Sequence, residues 1–217
     1  MNNTVKPSLD SRLAAGFLIR LCRLLTGVRA SWLSPLPEDN QLRIYYANHT
    51  SHLDGIVIWA SMPPQLRPRV RPVAAADYWM KTPIRRYVAQ RIFNTVLIKR
   101  NADKEDNSQS GDALALMNNA LSNAQSLIIF PEGTRGNGND ISPFKSGLWH
   151  LARMNPGVQL VPVYLENLNR VLPKGTYLVV PVLCTATFGE PVNPLQEGED
   201  KTVFLQRARH ALEELKS

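Results

Sequence analysis

Residues 42–60 constrain the fold more than any other stretch. Leu42-Arg43-Ile44-Tyr45-Tyr46 has the β-branched and aromatic character of a strand and closes on small Ala47. Gly55-Ile56-Val57-Ile58-Trp59-Ala60 is an apolar run that reads as a buried helix, stopped by Pro63-Pro64. Asn48-His49-Thr50-Ser51-His52-Leu53-Asp54 therefore occupies a strand-to-helix turn. Inside one regular helix, residues five apart point about 140° away from each other. His49 and Asp54 meet only if His49 lies in the loop and Ser51 caps a helix with Asp54 in its first turn. The carboxylate then fixes one imidazole tautomer and stabilises the imidazolium, and His49 becomes a general base for a hydroxyl proton.

The same residues permit other readings. The bland one is a surface histidine beside a helix-capping aspartate. A metal site at His49, His52 and Asp54 is weaker, because no further cluster of strong ligands appears elsewhere in the chain. Ser51 lacks the Gly-x-Ser-x-Gly surroundings of a nucleophile.

Further strands alternate with helices along the 217 residues. Strands are expected at 72–75, 95–98, 127–130 and 160–164, with one or two more between 177 and 188. Helices are expected near 78–87, 112–123, 144–154 and 201–216, and a polar loop at 101–110. This pattern defines a single α/β domain whose functional loops follow its strands. Residues 1–10 read as a disordered lead. Leu13, Phe17, Leu21, Leu24, Leu25, Val28 and Trp32 then form an apolar stripe at helical spacing, flanked by Arg20 and Arg29, until Pro35 and Pro37. Arginines bordering an apolar face suit a helix lying in a bilayer interface, or one packed on its own domain.

Charge narrows the partners. The 25 basic residues outnumber the 18 acidic ones, giving +7, which suits an anionic partner such as a phospholipid surface. No arginine block interleaved with aromatics points to nucleic acid. Two isolated cysteines, Cys22 and Cys184, fit a reducing compartment. No uncharged apolar run is long enough to span a bilayer, and the arginines of 13–32 argue against a cleavable signal.

A second loop carries chemistry. Leu127-Ile128-Ile129-Phe130 runs into Pro131-Glu132-Gly133-Thr134-Arg135. Gly133 lets the backbone turn sharply, Thr134 offers a hydroxyl, and Arg135 offers a forked cation suited to phosphate. Arg100, at another strand end, is a candidate second cation.

Together these motifs resemble the glycerolipid acyltransferases typified by lysophosphatidate acyltransferase. Asn48, His49, Ser51 and Asp54 match the family's first motif, and Phe130 to Arg135 match its third without a change. Val161-Pro162-Val163 matches the fourth, and Phe144 to Gly147 match the Phe-Lys-x-Gly that follows the third. The second motif keeps only Ile98 and Arg100, and Ala75 stands where many members carry lysine. Both departures lie near the family's acceptor site.

The resemblance implies a central mostly parallel or mixed sheet flanked by helices. The resemblance runs from about Leu42 to Tyr164; residues 1–38 read as lead and amphipathic interfacial helix, and residues 39–217 as the acyltransferase domain. The implied reaction moves a fatty acyl group from acyl-CoA or acyl carrier protein to a lysophospholipid hydroxyl, with lysophosphatidate the leading acceptor and phosphatidate the product. No metal or prosthetic group is implied. His49 would be the base and Asp54 its orienting partner. Arg100, Glu132 and Arg135, with Gly133 and Thr134, would hold the acceptor's phosphate and glycerol end. The expected location is the cytoplasmic face of a membrane with anionic phospholipids, peripheral or monotopic. A hydrolase using the same dyad, and a non-catalytic lipid-binding module, are the rival readings.

Overall fold

A computed structural model describes residues 8–36, 41–99, 107–136, 138, 140–168 and 183–216. Among them, seven strands form one mixed sheet: β1 Arg29–Trp32, β2 Arg43–Ala47, β3 Val70–Ala75, β4 Val96–Ile98, β5 Ser126–Ile129, β6 Gln159–Glu166 and β7 Thr185–Phe188. Their order is β1-β7-β6-β2-β5-β3-β4, and only the β6–β7 pairing is antiparallel. The main helices are α1 Leu9–Thr26, α2 Asp54–Ser61, α3 Ala76–Trp79, α4 Pro83–Tyr87, α5 Asn107–Ser122, α6 Gly147–Met154 and α7 Lys201–Glu213.

Alternation along the strands builds two cores. Tyr45, Ala47, Ile128, Val161 and Val163 face α1 and α2, where they meet Cys22, Val57 and Ile58. Ile44, Tyr46, Leu127, Ile129 and Leu160 face α5, α6 and α7. Since side chains of consecutive strand residues point to opposite faces, nearly continuous apolar runs are what a sheet covered on both sides demands.

The N-terminal segment departs from its expected form. The helix does not reach Trp32; it stops at Thr26, where Gly27 turns left-handed at φ 54° and its N–H donates to the Arg23 carbonyl. A side chain at Gly27 would also press on Leu183, 3.0 Å away. Residues 29–32 then pair with β7, and the Trp32 ring stacks on Phe188 at 3.9 Å.

α1 combines features of both expected placements. Ala15, Leu18, Ile19 and Cys22 pack on the core, while Leu9, Leu13, Phe17 and Leu24 are between 67% and 79% exposed. The helix thus packs on its domain by one face and presents a second apolar face outward. No helix among the described residues is long and apolar enough to cross a membrane.

Smaller differences follow local chemistry. Helix α5 starts at Asn107, inside the stretch expected as a loop. The single helix expected near 78–87 is two short helices: Thr82 accepts a hydrogen bond from the Arg85 N–H and restarts the chain at Pro83. Of the strand region expected at 177–188, residues 177–182 lie outside the described residues, as do 1–7 and 101–106.

Phe188 is fully buried, stacked on Trp32 and edge-on to Tyr45 at 6.0 Å. Phe188→Ala should therefore lower unfolding free energy by about 3–5 kcal/mol. Urea denaturation followed by tryptophan fluorescence measures this.

Candidate active site

The site lies where β2 and β5 end side by side. The chain leaves β2 toward α2 on one face of the sheet and leaves β5 toward α6 on the other. A crevice opens between loops that diverge in this way at the carboxyl ends of parallel strands.

The β2 loop is anchored first. The Asn48 side chain donates to the Leu165 carbonyl at 2.9 Å and accepts from the Leu165 N–H at 2.8 Å, extending β2 toward β6 by one amide. His49 follows, and its Nδ1 lies 2.8 Å from Asp54 Oδ2. The same oxygen accepts the N–H groups of Thr50 at 2.6 Å and Ser51 at 2.9 Å. Asp54 is fully buried at the start of α2, where the helix dipole also favours a carboxylate. Ser51 does not cap α2; its hydroxyl accepts the Leu53 N–H, and Leu53 is the residue before the helix. With Nδ1–H given to the carboxylate, Nε2 is an acceptor, as a general base requires. The imidazole is 23% exposed and lies flat on Phe130 at 4.3 Å.

The β5 loop locks onto this arrangement. Glu132 Oε1 accepts the His49 N–H at 2.8 Å, and Oε2 accepts the Ser142 N–H at 3.0 Å. The Gly136 N–H returns to the His49 carbonyl at 2.8 Å. Glu132 is buried and both its oxygens are spent on backbone, so it braces two loops rather than facing the acceptor end expected of it.

Gly133, Thr134 and Arg135 do line the crevice, with Thr134 and Arg135 exposed. Gly133 has φ 72°, and a side chain there would strike Lys145, whose Nζ would be 2.7 Å from the added carbon. The close approach lays Lys145 across the turn into the same crevice. Arg100 lies outside the described residues. Lys145 was missed as a cation beside the site, although the Phe144-to-Gly147 pattern contained it. The cavity, of about 260 Å³, continues from His49 between apolar walls that include Ile56, Val73, Met117, Ile129 and Leu151. His52, stacked on Tyr78 at 4.7 Å, stands at its edge rather than beside Asp54.

Neither cysteine is suited to act as a nucleophile. Burial raises the Cys22 thiol pKa and pushes that of Cys184 up to about 11, so neither is a thiolate at neutral pH. No group of three metal-binding side chains occurs among the described residues.

The His49–Asp54 pair thus stands on the wall of an apolar cavity that Arg135 and Lys145 also line, in an α/β fold. The chain belongs to the acyltransferase family, whose sequence model matches residues 31–166. Over 68 residues it is 41% identical to a 1-acyl-sn-glycerol-3-phosphate acyltransferase of Limnanthes alba, covering 31% of this chain and 24% of that protein. Over 201 residues it is 28% identical to the 1-acyl-sn-glycerol-3-phosphate acyltransferase of Salmonella typhimurium, covering 88% and 74%. The chain thus matches about a quarter of the Limnanthes protein's length and about three quarters of the Salmonella protein's. The crystal structure of a 1-acyl-sn-glycerophosphate (LPA) acyltransferase from Thermotoga maritima shares the fold, with TM-score 0.69 over 95% of this chain and 81% of that one at 21% identity.

Replacing one Glu132 oxygen by an amide leaves a backbone N–H facing a donor or an unpaired group. Glu132→Gln should cost roughly 1–3 kcal/mol of stability, the range for a buried partner lost. A denaturant midpoint equal to wild type would contradict the bracing role.

Proposed function

We propose that the protein transfers a fatty acyl group from an acyl thioester to the free hydroxyl of lysophosphatidate, forming phosphatidate, with His49 as general base. The observation that carries this reading is the His49–Asp54 pair set between an apolar cavity and two cations, Arg135 and Lys145. The acceptor hydroxyl gives its proton to His49 Nε2 as its oxygen attacks the thioester carbonyl. The carbon–sulfur bond then breaks, and the imidazolium returns the proton to the departing thiolate. Asp54 holds the tautomer and stabilises the imidazolium between these steps. Acyl-CoA and acyl carrier protein supply the same thioester chemistry, and no acyl-enzyme or metal is needed.

Arg135 and Lys145 would bind the acceptor's phosphate, Arg135 through two parallel bonds and Lys145 as a point charge. Thr134 would add a hydroxyl contact. The acyl chain would enter the apolar cavity. The outward face of α1, with Leu13, Phe17 and Leu24, would lie in the interface of an anionic membrane, bringing the chain to its lipid acceptor.

His49→Ala should reduce turnover by about 10²- to 10⁴-fold while the fold stays intact, because the side chain is a base in a loop. Asp54→Asn should be nearly as damaging through tautomer reversal. Turnover like wild type in His49→Ala, in a direct acyl-transfer assay, would exclude the mechanism.

Arg135→Ala should raise the acceptor's KM about ten- to a hundredfold, and the donor's much less. Arg135→Lys should recover part of the loss. The comparison that decides is lysophosphatidate against an uncharged lysolipid; equal losses on both would make Arg135 structural.

A further inference from the structure

A second cationic centre lies at the other end of α2. The Arg23 Nη2, from α1, donates to the Ala60 carbonyl at 3.2 Å, and the Arg67 Nη2, from the short 3-10 turn Arg67–Arg69, donates to the same oxygen at 3.1 Å. A helix C-terminus leaves carbonyls without intrahelical partners, and one guanidinium is enough to meet this one. The oxygen's second lone pair takes the other guanidinium, so two cations share one neutral acceptor. Neither arginine is paired with a carboxylate among the described residues. Two guanidinium groups sharing an oxygen repel each other, and the Arg67 guanidinium loses proton affinity through burial and through Arg23.

The surroundings point the same way. Three hydrogen-bond donors in this corner are buried without a partner among the described residues: Trp59 Nε1, Ser61 Oγ and Arg67 Nε. Trp59 is 5% exposed and Ser61 7%. Arg67 packs over the Trp59 ring at 5.6 Å, which holds its plane. Two guanidinium groups with no carboxylate partner among the described residues favour an anion that can accept several bonds.

We propose that Arg23 and Arg67 form a binding site for the phosphate of an anionic membrane phospholipid, separate from the acceptor site. α2 has eight residues, about 12 Å at 1.5 Å per residue. Asp54 begins it and Ala60 lies in its last turn, so one phosphate cannot serve both centres. The lipid source is favoured by placement. Arg23 is exposed and belongs to the helix that turns Leu13, Phe17 and Leu24 outward, with Leu24 its direct neighbour. A ligand with a phosphate and acyl chains matches both features of that helix. The proposal rests on the reading that α1 works at a lipid surface.

The test uses the full chain and the double variant Arg23→Lys/Arg67→Lys, which keeps both charges and removes both forks. Binding is measured by flotation with phosphatidylcholine vesicles, alone and with phosphatidylglycerol. The variant should bind the anionic vesicles about tenfold or more weakly, with unchanged binding to phosphatidylcholine and unchanged acyl transfer on soluble short-chain substrates. Anionic-vesicle binding equal to wild type would reduce the arginines to diffuse charge and helix capping, and overturn the site. Inorganic phosphate is the second probe. If it raises the melting temperature of wild type but not of the variant, while both float equally, the site takes soluble phosphate and the lipid assignment fails. Phe17→Ser/Leu24→Ser tests the underlying reading by itself: full flotation there would remove α1 from the membrane, whatever the arginine variant does. Arg23→Gln/Arg67→Gln, checked for folding by circular dichroism, should lose anionic binding at least as far as the lysine variant; retention would again overturn the site.

Discussion

Everything at the active site depends on one buried carboxylate. Asp54 is wholly withdrawn from water, which is costly for an anion unless hydrogen bonds replace its hydration. The replacement comes from three donors on one oxygen: His49 Nδ1 and the backbone N–H groups of Thr50 and Ser51. Those bonds dictate the path of the loop, since Thr50 and Ser51 must curl around the carboxylate while His49 reaches it by side chain. The geometry that stabilises the charge also fixes the ring of His49, which lines the cavity. On the proposed reading, the path of the loop and the orientation of the base have the same cause.

A second carboxylate performs a related task without touching the cavity. Glu132 joins the backbone of His49 to the backbone of Ser142, so the β2 and β5 loops become one unit. The sheet makes this possible. β2 and β5 are parallel neighbours in register from Ile44↔Leu127 to Tyr46↔Ile129, so their loops emerge side by side at the same level. α2 and α6 cover opposite faces, so the crevice opens between those loops.

The sequence made the dyad legible because its constraint is local. A His-x4-Asp spacing across a strand-to-helix turn leaves few ways to meet, and the strand and helix around it are apolar enough to be buried. The alternation of β2, β3, β4, β5 and β6 with helices was legible for the same reason. Glu132 was not, because a carboxylate after a strand faces ligand or backbone according to what the neighbouring loop presents. α1 was legible only in part. It carries two apolar faces, Leu13-Phe17-Leu24 and Ala15-Leu18-Ile19-Cys22, and periodicity cannot say which is inward. Val28 and Trp32 continue the three- and four-residue spacing past Gly27, so β1 was hidden inside a helical pattern. Its partner β7 is more than 150 positions away, beyond the reach of any local rule.

The first turn of α1 is linked to the cavity edge through α4. Tyr87 Oη donates to Asp10 at 2.9 Å, tying α4 to the first turn of α1. On α4, Ile84 is 77% exposed, and Arg85 lies over the Tyr78 ring at 4.2 Å. Tyr78 in turn stacks on His52, and both line the cavity. Apolar exposure on α1 and α4 thus borders a cation–aromatic stack at the cavity edge. Arginine on an aromatic face keeps its charge in water while its stem and the ring stay in apolar surroundings. On the proposed reading, this is the boundary a lysolipid crosses. Its chain would stay in the bilayer's apolar layer while its phosphate moves toward Arg135, so the headgroup need never be dragged through hydrocarbon. A water-soluble acceptor would have no use for Leu9, Leu13, Phe17 and Ile84 in those positions, and their exposure would only cost solubility.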